Sequence, residues 1–327
     1  MRSSARLLTL ISSVATALLF SVTAADTSEG CTKVASPVGS DLGAGSEESP
    51  YRTVQRLVDS LAAGQVGCLR GGEYGGGEVT LASPDTRLTS YPGERARLLG
   101  RLRVSADRVT VDGLELDGRN WLNLPSPTIN ADDVVFRDND VSSGGICFLL
   151  GGTTEVRRPV IEGNRIHDCG EPLSVYHHGI YMQDVESARI VANTIYDNAS
   201  RGIKVGPDAQ RSLIRGNVID GNAIGLNFSG NGEQASSDNV VEYNVIANST
   251  RWWNVQSYWP LDWVGANNEL RHNCVYGSNP DPRYNSNGGV SDGDGFNSYD
   301  NLVAEPRYRD RPNKDFQLTA DSPCRPF

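Results

Sequence analysis

The chain has 327 residues, a formal charge of −10 and six cysteines. A chain this acidic is a poor partner for nucleic acid, and it repels a polyanionic ligand unless positive charge is gathered locally. Beyond the first two dozen residues no stretch is long and apolar enough to span a bilayer, so neither nucleic acid nor membrane is an expected partner.

The chain opens with Arg2 and Arg6, an apolar run from Leu7 to Val22, and small residues up to Ala24. That order predicts a secretory signal peptide over 1–24, with an exported chain from 25 to 327. Its removal takes the charge from −10 to −12, because Arg2 and Arg6 are lost. All six cysteines (31, 68, 147, 169, 274 and 324) lie beyond it, and an even count in an exported chain favours disulfides. No low-complexity linker interrupts the exported part, which predicts a single domain; a monomer is the expected state.

A Gly/Ser-rich approach, 39–49, leads into "SPYRTVQRLVDSLAAG". Val54, Leu57, Val58 and Leu61 fall at helical spacing, with Ser49 as N-cap, Pro50 as first residue and Gly64 as stop. This predicts an amphipathic helix over 49–64 that caps the body of the chain. From 71 to 103 the apolar pattern is short and irregular.

Two repeats then become legible. "VTVDGL" (109–114), "FRDNDV" (136–141), "IEGNRI" (161–166), "IVANTI" (190–195), "IRGNVI" (214–219), "VEYNVI" (241–246) and "LRHNCV" (270–275) align on their fourth residue. That column reads Asp112, Asn139, Asn164, Asn193, Asn217, Asn244 and Asn273. Asn tolerates left-handed backbone at a corner, and its amide can bond the next layer, so the column predicts an internal ladder. The second repeat is Gly179-Ile180-Tyr181-Met182, Gly202-Ile203-Lys204-Val205 and Gly225-Leu226-Asn227-Phe228, with copies 23 residues apart. Its alternation buries one face of a strand and turns Tyr181, Lys204 and Asn227 to the other. Strand-like units at this period predict a solenoid, legible over about 105–280 and closed by 281–327. The cysteine pairing is open from sequence alone; a solenoid, which joins near neighbours in sequence, favours Cys31–Cys68, Cys147–Cys169 and Cys274–Cys324.

Coils of this length, each a strand, an Asn corner and a second strand, resemble the right-handed parallel β-helix of the pectate lyase-like polysaccharide lyases. The entry segment (39–74) and the closing segment "NLVAEPRYRDRPNKDFQLTADSPCRPF" are similar to those of the same proteins. The resemblance implies an all-β, single-stranded right-handed parallel β-helix with an N-terminal capping α-helix. Activity does not follow from it, because lyases, hydrolases, epimerases and binding proteins share the scaffold.

A uronate lyase removes the proton at C5 and stabilises the charge that forms on the carboxylate, so it needs a base and a cation. The exported part has three lysines, and only Lys204 lies within the repeats. The resemblance implies Lys204 as base, Arg201 as carboxylate partner, Tyr181 or His178 as proton donor, and bound Ca²⁺. Asp184 and Asp208, placed at the strand exits, are the candidate ligands, and Asp292, Asp294 and Asp300 form a second acidic loop. The alternative is a solvated Lys204, with Arg201 paired to Asp184 or Asp197.

Four of the five tryptophans crowd into "RWWNVQSYWPLDW". Aromatic rings stack on sugar C–H faces, so Trp252, Trp253, Tyr258 and Trp259, with Asn227, are candidate substrate contacts; the competing role is a hydrophobic lid. A glycoside hydrolase needs two flanking carboxyls. "HHG" and "RGIK" resemble polygalacturonase motifs, but the Asn-Thr-Asp motif is absent and Asp132-Asp133 sit in an ordinary turn two coils away. The expectation is a secreted protein acting on an acidic polysaccharide as a lyase. The alternative is a non-catalytic carbohydrate-binding β-helix, and the less favoured one a hydrolase.

Overall fold

The computed structural model describes residues 30–261 and 263–325. The expected signal peptide lies outside them. Residues Cys31–Phe327 form one compact unit. It winds as a right-handed parallel β-solenoid, with three sheets of eleven, nine and ten strands and one separate antiparallel pair. The first sheet runs from Lys33–Ala35 to Phe296–Tyr299, the second from Glu78–Leu81 to Val255–Tyr258, the third from Gly72–Tyr74 to Leu302–Val303.

Register explains why the apolar columns recur. In the first sheet Ile161, Ile190, Ile214, Val241 and Leu270 are successive partners; in the third, Ile166, Ile195, Ile219, Ile246 and Val275. All ten are fully buried, and each contributes about 1.5–3 kcal/mol of apolar burial.

The Asn ladder is present. Asn139, Asn164, Asn193, Asn217, Asn244 and Asn273 each donate an amide hydrogen at 2.9–3.0 Å to the carbonyl oxygen of the next, ending on Asn301. Two details differ from expectation. Asp112 is not the first rung: Val111 pairs with Phe136 and Asp112 with Arg137, so Leu114 stands opposite Asn139 and donates its N–H to it. Asp112 instead holds the Arg87 guanidinium. The left-handed residue is the one before each Asn (Asp138, Gly163, Ala192, Gly216, Tyr243, His272 and Asp300). The corner is made there, and the Asn side chain is thereby turned inward to bridge coils.

The long capping helix is corrected to a single short helix, Val54–Asp59, N-capped by Thr53. Tyr51 is drawn into pairing with Lys33–Ala35, where its N–H donates to Val34 and its carbonyl accepts from Ser36, and the Pro50 carbonyl accepts from Ser40. Asp41 accepts the N–H groups of Arg52 and Thr53. The backbone ahead of residue 53 is therefore committed elsewhere. Residues 72–104, irregular in sequence, supply regular members of all three sheets. The coils also run past 280, to Leu302–Val303, and the hairpin Tyr308–Asp310/Asp315–Leu318 comes after them. Disulfides join Cys31–Cys68, Cys147–Cys169 and Cys274–Cys324, as the solenoid argument favoured.

Candidate functional site

The repeated glycine figure lies in layers on the second sheet. Tyr181 pairs with Lys204, Lys204 with Asn227 and Asn227 with Gln256. Its glycines have a steric cause: a Cβ on Gly179, Gly202 or Gly225 would come within 2.7, 2.8 and 2.4 Å of a carbonyl oxygen in the next coil. The chain comes that close only without a side chain, and the close approach brings the row Tyr181–Lys204–Asn227 into register.

On this wall the Lys204 ammonium sits over the face of Tyr181, 4.5 Å from the ring centroid. Among the described residues it has no carboxylate partner. Burial, and then the nearby Arg201 charge, lower its pKa to about 8. Burial raises the Tyr181 phenol against a smaller opposing effect of Arg201, so it stays protonated.

Arg201 is half-buried and equally without a carboxylate. Its guanidinium donates to the Val175 carbonyl at 2.6 Å and to the Ser200 hydroxyl at 3.0 Å, and its Nε has no partner. The alternatives of a pair with Asp184 or Asp197 do not occur, since Lys314 holds Asp197. Arg251, not foreseen from sequence, lies close enough to lower the Arg201 pKa further after burial. It donates to the Leu173 carbonyl and lies over the Trp252 ring. The signal for it was its position directly before the tryptophans.

His178 is only 2% exposed. Its edge meets Tyr181 at 5.3 Å, and Nδ1 accepts the Arg201 N–H at 3.4 Å. Burial, then Arg201, Lys204 and His177, push its pKa well down, so it is neutral. It stands just ahead of the strand Ile180–Glu186 and is enclosed by protein. Asn227 is also enclosed, 1% exposed, and bonds Gln256 and the Phe228 carbonyl.

The aromatic cluster divides. Trp252, Trp253 and Tyr258 line a hollow of about 370 Å³ together with Arg201, Gln256 and Tyr284, and Trp253 meets Tyr284 edge to face at 5.5 Å. Trp259 is a structural ring, packed against the core and bonded through Nε1 to the Asp294 carbonyl at 2.7 Å.

Asp184 and Asp208 lie inside long strands, Ile180–Glu186 and Arg201–Gln210, and not at strand exits. They are register partners. Burial, then Asp208 and Glu155, raise the Asp184 pKa. Both Asp208 oxygens accept amide hydrogens, from Gln210 and Gln234. Ca²⁺ takes six to eight oxygen ligands, and among the described residues no three His, Cys, Asp or Glu converge as a metal-binding group. Asp184 and Asp208 are thus two carboxylates, fewer oxygen donors than a resident Ca²⁺ takes. Among the described residues no helix is long and apolar enough to cross a membrane.

Residues 126–302 match the family model "Right handed beta helix region". The uncharacterized protein YwoF of Bacillus subtilis (strain 168) is 27% identical over 205 residues, 58% of this chain; the match spans 42% of that relative's length. Among solved structures, the pectate lyase Pel9A has a TM-score of 0.60 at 13% identity, over 91% of this chain and 92% of its own. A rhamnogalacturonan lyase has a TM-score of 0.51 at 12% identity, over 89% of this chain and 97% of its own. At these identities the structures agree in fold.

Proposed function

The chain belongs to the right-handed β-helix family, and on that scaffold we propose that it binds an acidic, uronate-containing polysaccharide across its second sheet and cleaves it by β-elimination. One observation carries the reading. In a chain of net charge −10, Lys204, Arg201 and Arg251 cluster beside an aromatic hollow without a carboxylate partner among the described residues. Elsewhere the typical arginine is paired, as Arg87, Arg97, Arg158 and Arg271 are. A group of half-buried, uncompensated cations is costly to a fold, and an anionic ligand offsets that cost.

The roles follow from position. Arg201, with Arg251 behind it, neutralises the uronate carboxylate and stabilises the charge that builds on it. Lys204 in its free-amine form takes the C5 proton. The C5–H electron pair becomes the C4–C5 double bond, and the C4–O bond breaks toward the leaving oxygen. That oxygen takes a proton from Tyr181, which burial keeps protonated. His178 is a positioning residue: it fixes the Arg201 backbone and braces the Tyr181 ring. Trp252, Trp253 and Tyr258 stack on sugar rings beside the reacting unit. Pectate lyase Pel9A and the rhamnogalacturonan lyase share the fold, which is consistent with a polysaccharide ligand.

The three disulfides suit an oxidising compartment, and we read the chain as exported and monomeric, with Val54–Asp59 closing the first coils. The test is incubation with polygalacturonate, alginate and hyaluronan, with added Ca²⁺ and with chelator, reading absorbance of the unsaturated product. Product from wild type and none from Lys204→Ala supports the reading. Chain shortening without unsaturated ends means hydrolysis, and undiminished turnover by Lys204→Ala removes it as the base.

A further inference from the structure

A second aromatic surface lies toward the opposite end of the same sheet. Trp121 is 90% exposed, the most exposed of the large apolar side chains near it, and Leu122 and Leu124 of its loop are also exposed. They border a hollow of about 390 Å³ whose other walls include Leu99, Arg101 and Asn120. The charges around this hollow are ion-paired. Glu78 holds Arg101 and Arg103, and Asp117 holds Arg119. The surface is therefore apolar, with the charges at its rim paired and with groups able to bond hydroxyls, in contrast to the unpaired cations at Lys204.

It is continuous with the candidate site. The Trp121 loop leads into Thr128–Ile129, which pairs with Phe148–Leu150, and that strand pairs with the strand carrying Tyr181. From the hollow's wall at Arg101 to the strand carrying Lys204 there are four strand spacings, about 19 Å. The loops also touch: Asn123 donates to the Glu171 carboxylate at 2.8 Å, and Glu171 opens the segment whose Val175 carbonyl holds Arg201. We propose that Trp121 is a distal, non-catalytic carbohydrate platform that stacks on a sugar ring of the same polysaccharide chain whose uronate lies at Arg201 and Lys204. This rests on the functional reading above and adds to it a minimum ligand length, because one molecule must reach both surfaces.

The test uses the Lys204→Ala chain, in which binding is read without turnover. Tryptophan fluorescence and calorimetry are followed against polygalacturonate, alginate and hyaluronan polymers and against trigalacturonate. Adding Trp121→Ala is expected to weaken polymer binding about tenfold and to leave trisaccharide binding unchanged; Trp121→Phe restores part of the polymer affinity. Equal polymer affinity with and without Trp121 overturns the platform while leaving the lyase reading intact, as does a dimer in sedimentation that Trp121→Ala converts to monomer. Failure of the Lys204→Ala chain to bind any of the polymers overturns both.

Discussion

Replacing Lys204 by Met should make the protein more stable while removing its base. Burial and Arg201 lower the lysine from 10.5 to about 8, and at about 1.36 kcal/mol per unit this 2.5-unit difference amounts to about 3 kcal/mol. Solvent screening of a half-buried ammonium reduces it to about 2–3 kcal/mol. Its sign follows from proton counting. Below pH 8 the lysine is charged in both folded and unfolded chains, and the native state carries the full penalty. Between pH 8 and 10.5 the unfolded chain binds more protons than the folded one, so wild-type stability rises with pH. Above 10.5 the penalty is gone. Methionine fills similar volume without the charge, so urea midpoints should place Lys204→Met above wild type by this margin at pH 7, with the gap closing toward pH 10.5. A gap that does not change with pH, or a methionine chain less stable than wild type at pH 7, refutes the view of Lys204 as a strained, unpaired cation.

The same lowered pKa makes turnover rise tenfold per pH unit toward a plateau above about pH 8; kcat/KM measured from pH 6 to 9.5 checks it, and a plateau already complete at pH 6 contradicts it. Lys204→Ala should reduce kcat by about 10²–10⁴-fold, the usual contribution of a positioned base, in a product-absorbance assay. Arg201→Gln should raise KM and lower kcat together for a uronate polymer, since the carboxylate is contacted before and during the reaction; calorimetric binding of polygalacturonate checks the ground-state part. Asn217→Ala should cost about 3 kcal/mol or more by denaturant titration, because it removes the acceptor of the Asn193 N–H and amide and the amide donated to the Ile190 and Asn244 carbonyl oxygens, of which Asn244 keeps only the Asn217 backbone N–H. Gly202→Ala should cost about 1–3 kcal/mol in the same assay, its Cβ meeting the Gly225 carbonyl and Ile219 at 2.8 Å.

The fold was legible where one residue type answers one geometric need at every coil. The Asn column could be read because each amide must bridge to the next layer, and the glycines at 179, 202 and 225 because the chain passes too close to its neighbour for a Cβ. Where several residues serve the same need, the pattern weakened. Strands at 72–104 carry Arg, Glu and Gly outward and only one or two apolar residues inward apiece, so no period stood out although all three sheets pass through them. The helix at 49–64 failed for a different reason. Its apolar spacing is real, but Tyr51 finds a backbone partner in Lys33–Ala35, a long-range pairing that no local window contains.

The site was half legible for a related reason. Period-two alternation says which way a side chain leaves its strand, and it put Tyr181, Lys204 and Asn227 on one wall. It says nothing of the chain that lies over that wall. The loops at 170–178 and 249–254 cover parts of it, enclosing His178 and leaving Lys204 and Arg201 half-buried beside the aromatic hollow. The same covering gives the site its chemistry. Desolvation lowers the lysine, keeps His178 neutral and holds Tyr181 protonated, while the loop supplies Arg201 and Arg251 only with neutral carbonyls. A carbonyl satisfies a guanidinium hydrogen without cancelling its charge. The cluster thus stays positive inside an acidic molecule, and a ligand that brings its own carboxylate is the species its field selects.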